Sequence, residues 1–199
     1  MKLRTVAWAS GLAFLAAAVS HAAARTRDGR EVDRELFGIL NRDRGPAADR
    51  FFGGITELGS LYASAAAAAV LALTGRRRPA VSALAAAGST WALGQGVKRL
   101  VDRPRPYEAD PHGTRRLIAE PHGTSWPSSH PAVLTTFTRV AARELGAGSG
   151  SRVALGALDL SVAASRVYLG VHYPADVAGG LLMGRAVARL WPGRRAPRR

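Results

Sequence analysis

The chain has no cysteine, which excludes a disulfide framework, a thiolate nucleophile and a Cys-ligated zinc site. Lysine is almost missing as well: Lys2 and Lys98 are the only lysines among the 28 basic residues, and the rest are arginine. Acidic residues are scarce, 14 against those 28, leaving a net charge of +14. No segment alternates apolar and polar residues over a useful length, so strands are not expected. Neither a His-Glu-x-x-His motif nor a carboxylate cluster is present, so no metal or other cofactor is implied. With 199 residues, 47% of them hydrophobic and 21% charged, the chain suits one domain and is too apolar for a disordered basic tail. An excess of arginine suits nucleic acid or the ends of membrane segments. Here the arginines gather at the ends of apolar segments, which argues against nucleic acid.

Met1-Lys2-Leu3-Arg4 precedes an uncharged stretch from Thr5 to Ala24. That stretch is long enough to span a bilayer, and it equally has the layout of a signal peptide. Residues 25–50 are dense in charge, and within them Val32, Leu36, Phe37, Ile39 and Leu40 recur at helical spacing, predicting a short amphipathic helix on a surface. Phe51 to Thr74 is apolar except for Glu57, and a second apolar run covers Ala80 to Val97. The tight basic turn Gly75-Arg76-Arg77-Arg78-Pro79 joins them, predicting a helical hairpin. Residues 98–130 are polar and rich in Pro, Gly and Arg, and read as a long ordered loop. Residues 131–147, 152–170 and 174–191 read as three further helices, with Gly180 and Gly184 spaced for close helix contact. These last three carry Arg and Asp and are not clean membrane spans, so a soluble helical bundle stays open for this half. The resulting fold class is all-α. The division is 1–24, a first transmembrane helix or signal peptide; 25–50, a charged loop with the surface helix; 51–191, the core; and 192–199, a basic tail.

Three polar clusters border the apolar segments. Lys98 to Pro106 follows the run ending at Val97, Trp126-Pro127-Ser128-Ser129-His130 precedes the next helix, and Ser165 to Asp176 bridges the last two. Lys98, Arg105 and Arg166 are three cations suited to surrounding a phosphate. Ser128 and Ser129 precede a helix, where hydroxyls and unpaired N–H groups favour an anion. His172 and Asp176 are four residues apart, so on a helix they share a face and the carboxylate can orient the imidazole. His130 is a second imidazole. Two histidines inside a cationic clamp suit phosphoryl transfer through a covalent intermediate. Taken singly, each residue also has an ordinary reading: a snorkelling lysine, a stiff Arg-Pro linker, an N-cap, a helix-start pair.

Together the spacings resemble the type 2 phosphatidic acid phosphatase (PAP2) superfamily. That pattern is Lys, six residues, Arg-Pro; then Pro-Ser-Gly-His; then Ser-Arg, five residues, His, three residues, Asp. Here it falls on Lys98 with Arg105-Pro106, on Pro127-Ser128-Ser129-His130, and on Ser165-Arg166, His172 and Asp176, and the likeness extends over roughly residues 51–190. The one departure is Ser129 in place of glycine. Serine keeps the backbone N–H, and costs about 1 kcal/mol or more only where the backbone must be left-handed. The resemblance implies a six-helix transmembrane bundle and a lipid-phosphate phosphatase acting without a metal. It implies that Lys98, Arg105, Arg166, Ser128 and the amide of Ser129 hold the phosphate, and that His172 attacks phosphorus. It further implies that Asp176 fixes the His172 tautomer, and that His130 protonates the leaving group and then activates water. His21, His112 and His122 receive no role.

Basic residues divide evenly between the two sides of such a bundle. The short turn at Arg76 to Arg78 and the tail favour a cytoplasmic side away from the motifs, placing the site on the extracytoplasmic face. The expected partners are therefore a lipid phosphate and a membrane, with no nucleic acid. Alternatives are a soluble acid phosphatase or haloperoxidase-like enzyme carrying the same motifs, and a non-catalytic basic membrane binder.

Overall fold

In a computed structural model, the described residues are 24–193 together with Ala18 and Ala22. The expected first helix or signal segment therefore lies almost wholly outside the described residues, as do residues 194–199 of the basic tail. The described residues form eight α-helices and no strand, as the all-α reading expects. They are α1 (Arg27–Leu40), α2 (Pro46–Thr56), α3 (Leu61–Leu73), α4 (Arg77–Lys98), α5 (Pro106–Ala109), α6 (Ser129–Glu144), α7 (Ser149–Tyr168) and α8 (Pro174–Leu190).

The centre of the bundle is α6, which packs against α4, α7 and α8. Its residues from Pro131 to Thr138 are all buried. Alanines let the neighbours come close: Ala80, Ala83, Ala86 and Ala87 of α4 meet Val133, Phe137 and Val140 of α6 in one apolar cluster. Hydroxyls inside this layer find partners across helices. Thr90 of α4 and Thr136 of α6 share a 2.9 Å hydrogen bond, which fixes the register of the two helices. As the glycine spacing predicts, α8 comes into backbone contact with α6. A methyl group on Gly180 would strike the Ser128 carbonyl, and one on Gly184 would lie 2.5 Å from the Ala132 carbonyl.

One expectation fails. The apolar stretch from Phe51 to Thr74 is not a single limb of a hairpin: α2 with a following 3-10 turn (Glu57–Gly59) meets α3 at a 66° bend. Ser60 causes the break. Its backbone is extended (φ −75°, ψ 155°) and its hydroxyl accepts the Ala63 N–H at 3.0 Å, so it caps a new helix. By length and composition no single described helix is long and apolar enough to cross a membrane, whereas this bent pair together is.

The surface helix α1 forms as predicted, but it divides its apolar residues. Phe37 turns inward with Asp33, while Val32, Leu36 and Ile39 face outward. The long segment between α4 and α6 carries only the single turn α5, and side chains tie it down. Asn41 donates to the Arg115 and Tyr168 carbonyls (2.9 and 2.7 Å) and accepts from the Arg115 N–H (2.9 Å), and Arg115 reaches Asp49.

Candidate active site

The site forms at one end of the bundle, where the C-termini of α4 and α7 meet the N-termini of α6 and α8. Arg166 sits in the last turn of α7. Gly170 follows with φ +78°, a left-handed turn suited to glycine, and the chain folds back so that the N–H groups of Val171 and His172 both donate to the Arg166 carbonyl at 3.2 Å. This turn brings His172 over the end of α7. Two residues later Pro174 starts α8, and Asp176 caps it, its Oδ2 accepting the Tyr173 N–H at 2.8 Å. The sequence thus brings histidine and carboxylate together by helix-terminus chemistry.

All eight motif residues converge here. Lys98 ends α4 and donates to the Thr124 carbonyl at 2.5 Å; Arg105 Nη2 donates to the same oxygen at 3.4 Å. Arg105 is 1% exposed, and is fixed further by the carbonyls of Gly123, His122 and Val171. Its Nη1 lies 3.2 Å from His172 Nε2. Guanidinium groups only donate, so Nε2 is the acceptor and the proton of neutral His172 sits on Nδ1. Nδ1 makes no well-formed hydrogen bond; Asp176 Oδ2 stands 3.5 Å away and the Ser125 backbone carbonyl also faces the ring. Burial pushes the His172 pKa well below the usual imidazole value, and Arg166, Arg105 and Lys98 push it the same way, so His172 is neutral at pH 7 with its lone pair on Nε2, toward Arg105.

His130 lies in the first turn of α6 and feels the charges of Arg166, Arg105, Lys98 and His172. Ser128 is the residue before α6, yet its hydroxyl makes no capping bond, and neither it nor the Ser129 hydroxyl has a protein partner although both are buried. Buried hydroxyls at a helix N-terminus beside three cations are suited to an anion. Ser129 itself is helical, and no described non-glycine residue has positive φ, so replacing glycine there costs no strained backbone.

Four residues that sequence reasoning did not single out contribute. Thr56, beside the break between α2 and α3, accepts from Arg166 Nη1 at 2.9 Å. Ser125 donates to Asp176 Oδ2 at 2.5 Å. Arg103 donates to Asp176 Oδ1 at 2.5 Å and also to Asp33 of α1. The doubled Arg-Pro at 103–106 and a carboxylate beside Phe37 on the inner face of α1 were the available signals for Arg103 and Asp33; Thr56 and Ser125 left none.

The sequence profile of the PAP2 superfamily matches residues 79–197, more than half of the chain. The chain belongs to the PAP2 superfamily. Among PAP2 relatives, decaprenylphosphoryl-5-phosphoribose phosphatase of Mycobacterium tuberculosis (strain ATCC 25618 / H37Rv) is 37% identical over 120 residues, 60% of this chain and 63% of that protein. The protein of the same description from Mycolicibacterium smegmatis is 35% identical over 119 residues, 60% of this chain and 62% of that one. This chain therefore spans a little under two thirds of the length of these curated relatives. A crystal structure of a transmembrane PAP2 type phosphatidylglycerolphosphate phosphatase from Bacillus subtilis shares the fold with TM-score 0.76 at 24% identity, covering 92% of this chain and 94% of that one. Aquifex aeolicus LpxE superposes with TM-score 0.71 at 27% identity, over 78% of this chain and 92% of that chain.

Proposed function

We propose that this PAP2 protein is a membrane-embedded phosphatase that hydrolyses a lipid phosphate through a phosphohistidine. The carrying observation is the meeting of Arg105 Nη1 and His172 Nε2 at 3.2 Å, beside two buried hydroxyls with no protein partner. A phosphate held there by Lys98, Arg105, Arg166, Ser128 and the Ser129 N–H presents phosphorus to the His172 lone pair. Nε2 forms the P–N bond as the bond to the lipid oxygen breaks, and His130 gives that oxygen its proton. The Nδ1 proton stays toward Asp176, which stabilises the imidazolium formed. His130, now neutral, takes a proton from water; the hydroxide displaces His172 and inorganic phosphate leaves. The incoming phosphate brings the negative charge that a protonated His130 requires among three cations.

Membrane embedding is supported by the outer surface. The helix α3 has no charged residue, yet Tyr62 and Leu73 are each 88% exposed and Val70 60% exposed. A helix apolar all round suits lipid and not water. At 22 residues, α4 is about 33 Å long, which matches a bilayer core in length though not in apolarity. Arg76, Arg77, Arg143 and Arg152 mark the end away from the site, which supports a site on the extracytoplasmic face. The substrates named for the mycobacterial relatives make a prenyl-linked sugar phosphate the first one to test.

The test is phosphate release from prenyl-linked sugar phosphates, prenyl diphosphates, phosphatidic acid and phosphatidylglycerophosphate, in EDTA, by wild type and His172→Ala. Chelator-resistant release that the substitution abolishes is expected. Equal release by both proteins removes His172 from its role, and recovery of the protein in the soluble fraction without detergent overturns the embedding.

A further inference from the structure

Arg103 joins two buried carboxylates. Its Nη1 donates to Asp176 Oδ1 at 2.5 Å and its Nη2 to Asp33 Oδ2, and the Asp33 and Asp176 side chains are 6% and 0% exposed. The guanidinium lies over the Tyr173 ring, 4.6 Å from its centroid, and Tyr173 packs on Phe37 of α1. The second oxygen of Asp33 accepts the Ala175 N–H at 2.8 Å. The surface helix thus grips the first turn of α8 twice, directly at Ala175 and through Arg103 at Asp176.

This grip bears on how Asp176 faces His172. Oδ2 is the oxygen 3.5 Å from His172 Nδ1. A carboxylate held on that oxygen alone, by Ser125 and the Tyr173 N–H, would still be free to tilt. Arg103 on Oδ1 fixes the plane of the group. A cation so close also draws on the negative charge that Asp176 offers the imidazole. Asp33 supplies that cation with a second counter-charge, so Asp176 keeps more of its own for His172. A bidentate bridge between two carboxylates needs the guanidinium fork; an ammonium group reaches one or the other.

We propose that Asp33 and Arg103 are a positioning pair that orients Asp176 toward His172, so that α1 is an integral part of the catalytic centre. The proposal rests on the assignment of His172 as nucleophile above. Neither residue touches the phosphate, so the effect falls on kcat. Asp33→Asn keeps one acceptor for the Ala175 N–H but turns an amide NH2, a donor, toward Arg103, so the charge and the Arg103 hydrogen bond are both lost; it lowers kcat roughly 10- to 100-fold, as expected of a misaligned catalytic group, with KM within about twofold because the phosphate-holding groups are untouched. Arg103→Gln has at least the same effect, and Arg103→Lys recovers part of it.

The experiment measures kcat and KM of these variants and of the double variant Asp33→Asn/Arg103→Gln in detergent, with thermal unfolding to establish folding. In parallel, diethyl pyrocarbonate labelling of His172, quantified by mass spectrometry against exposed His112 in the same molecule, reports imidazole reactivity without any substrate. The expected result is a kcat loss in Asp33→Asn, no further loss in the double variant beyond Arg103→Gln, and a changed His172:His112 labelling ratio in each. Additive losses with an unchanged ratio mean that Asp33 merely anchors α1 and overturn the proposal, as does wild-type kcat with a wild-type ratio in folded Asp33→Asn. Should wild type release no phosphate from any substrate while Asp33→Asn still alters the labelling ratio, the phosphatase reading fails and the positioning pair stands.

Discussion

Replacing Gly59 by alanine tests whether the bend between α2 and α3 sets the position of His130. Gly59 ends the 3-10 turn, and a methyl group there would lie 2.8 Å from His130 Cβ, 2.8 Å from Val162 Cγ1 and 3.1 Å from the His130 carbonyl. Carbon atoms rest at about 3.5–4.0 Å, so the two nearest contacts must each open by about 0.7 Å or more. Moving Val162 alone does not relieve this, because His130 is struck independently. Nor has α6 room to retreat, since Gly180 and Gly184 already bring α8 against its backbone. Overpacking of this kind costs about 1–3 kcal/mol of stability. A shift of about 1 Å in a proton-transferring group costs roughly 100-fold in rate. Gly59→Ala is therefore expected to lower kcat roughly 100-fold while phosphate-holding residues away from the bend keep KM near wild type. Steady-state phosphate release and thermal unfolding are measured together, with the double variant Gly59→Ala/Val162→Ala as control. Val162→Ala removes one of the two clashes, so it restores part of the lost stability but not kcat. Wild-type kcat in folded Gly59→Ala would refute the reasoning, as would full recovery of kcat in the double variant.

Three more outcomes are expected. His172 is held below the ordinary imidazole value of about 6.5, so the neutral nucleophile persists as pH falls, and the acid limb of the kcat/KM profile due to its protonation lies below that value. Arg105→Gln removes one of the cations holding it down and moves that limb to higher pH; an unmoved limb contradicts the electrostatic account. Thr56→Val takes from Arg166 its hydroxyl partner without a change of volume, lowering kcat/KM roughly tenfold, with Thr56→Ser restoring it; unchanged kinetics would show that Arg166 is positioned without it. Asn41→Ala removes three hydrogen bonds that tie Arg115 and the Tyr168 carbonyl, leaving buried groups unpaired, and is expected to cost about 2–3 kcal/mol in unfolding experiments.

Much of the site was legible because its residues stand at helix ends with fixed spacing. His172 and Asp176 belong to a turn and the capped helix that follows it, and such local geometry is written in consecutive residues. Lys98, Arg105 and Arg166 were legible as a set by spacing, but their partners were not: the carbonyls of residues 122–124 come from a segment without periodicity. The break at Gly59-Ser60 was missed because the run from Phe51 to Thr74 reads as apolar apart from Glu57; a single serine cap outweighed the hydrophobic run. Asp33 was hidden for a different reason. The apolar residues of α1 lie on two faces, Phe37 inward and Val32, Leu36 and Ile39 outward. Periodicity marks an amphipathic helix without saying which stripe the protein covers. A carboxylate one turn from Phe37 therefore read as one more surface charge. Ser129 is the converse case: the departure from the family pattern looked like a backbone question, and the helical conformation at that position answers it.

The excess of positive charge that first suggested nucleic acid divides, at the site, into two kinds. Arg103 is answered by two carboxylates. Lys98, Arg105 and Arg166 are met by carbonyls, one hydroxyl and the His172 ring, and among the described residues none of the three pairs with a carboxylate. Burying three cations against dipoles alone is costly, and a well-packed apolar site would be cheaper. The arrangement makes sense when a doubly charged phosphate enters, since it alone brings counter-charge to all three at once. Asp176 cannot serve that purpose, because both of its oxygens are already engaged, by Arg103 on one side and by Ser125 and Tyr173 on the other. Were Arg103 not held by Asp33, it would compete with the imidazole for Asp176; were Asp176 not held by Arg103, it would be drawn toward the three unanswered cations and fill the place of the substrate. On the proposed mechanism, the ionic pair between the surface helix and the loop before α5 thus keeps Asp176 out of the proposed phosphate pocket and beside His172.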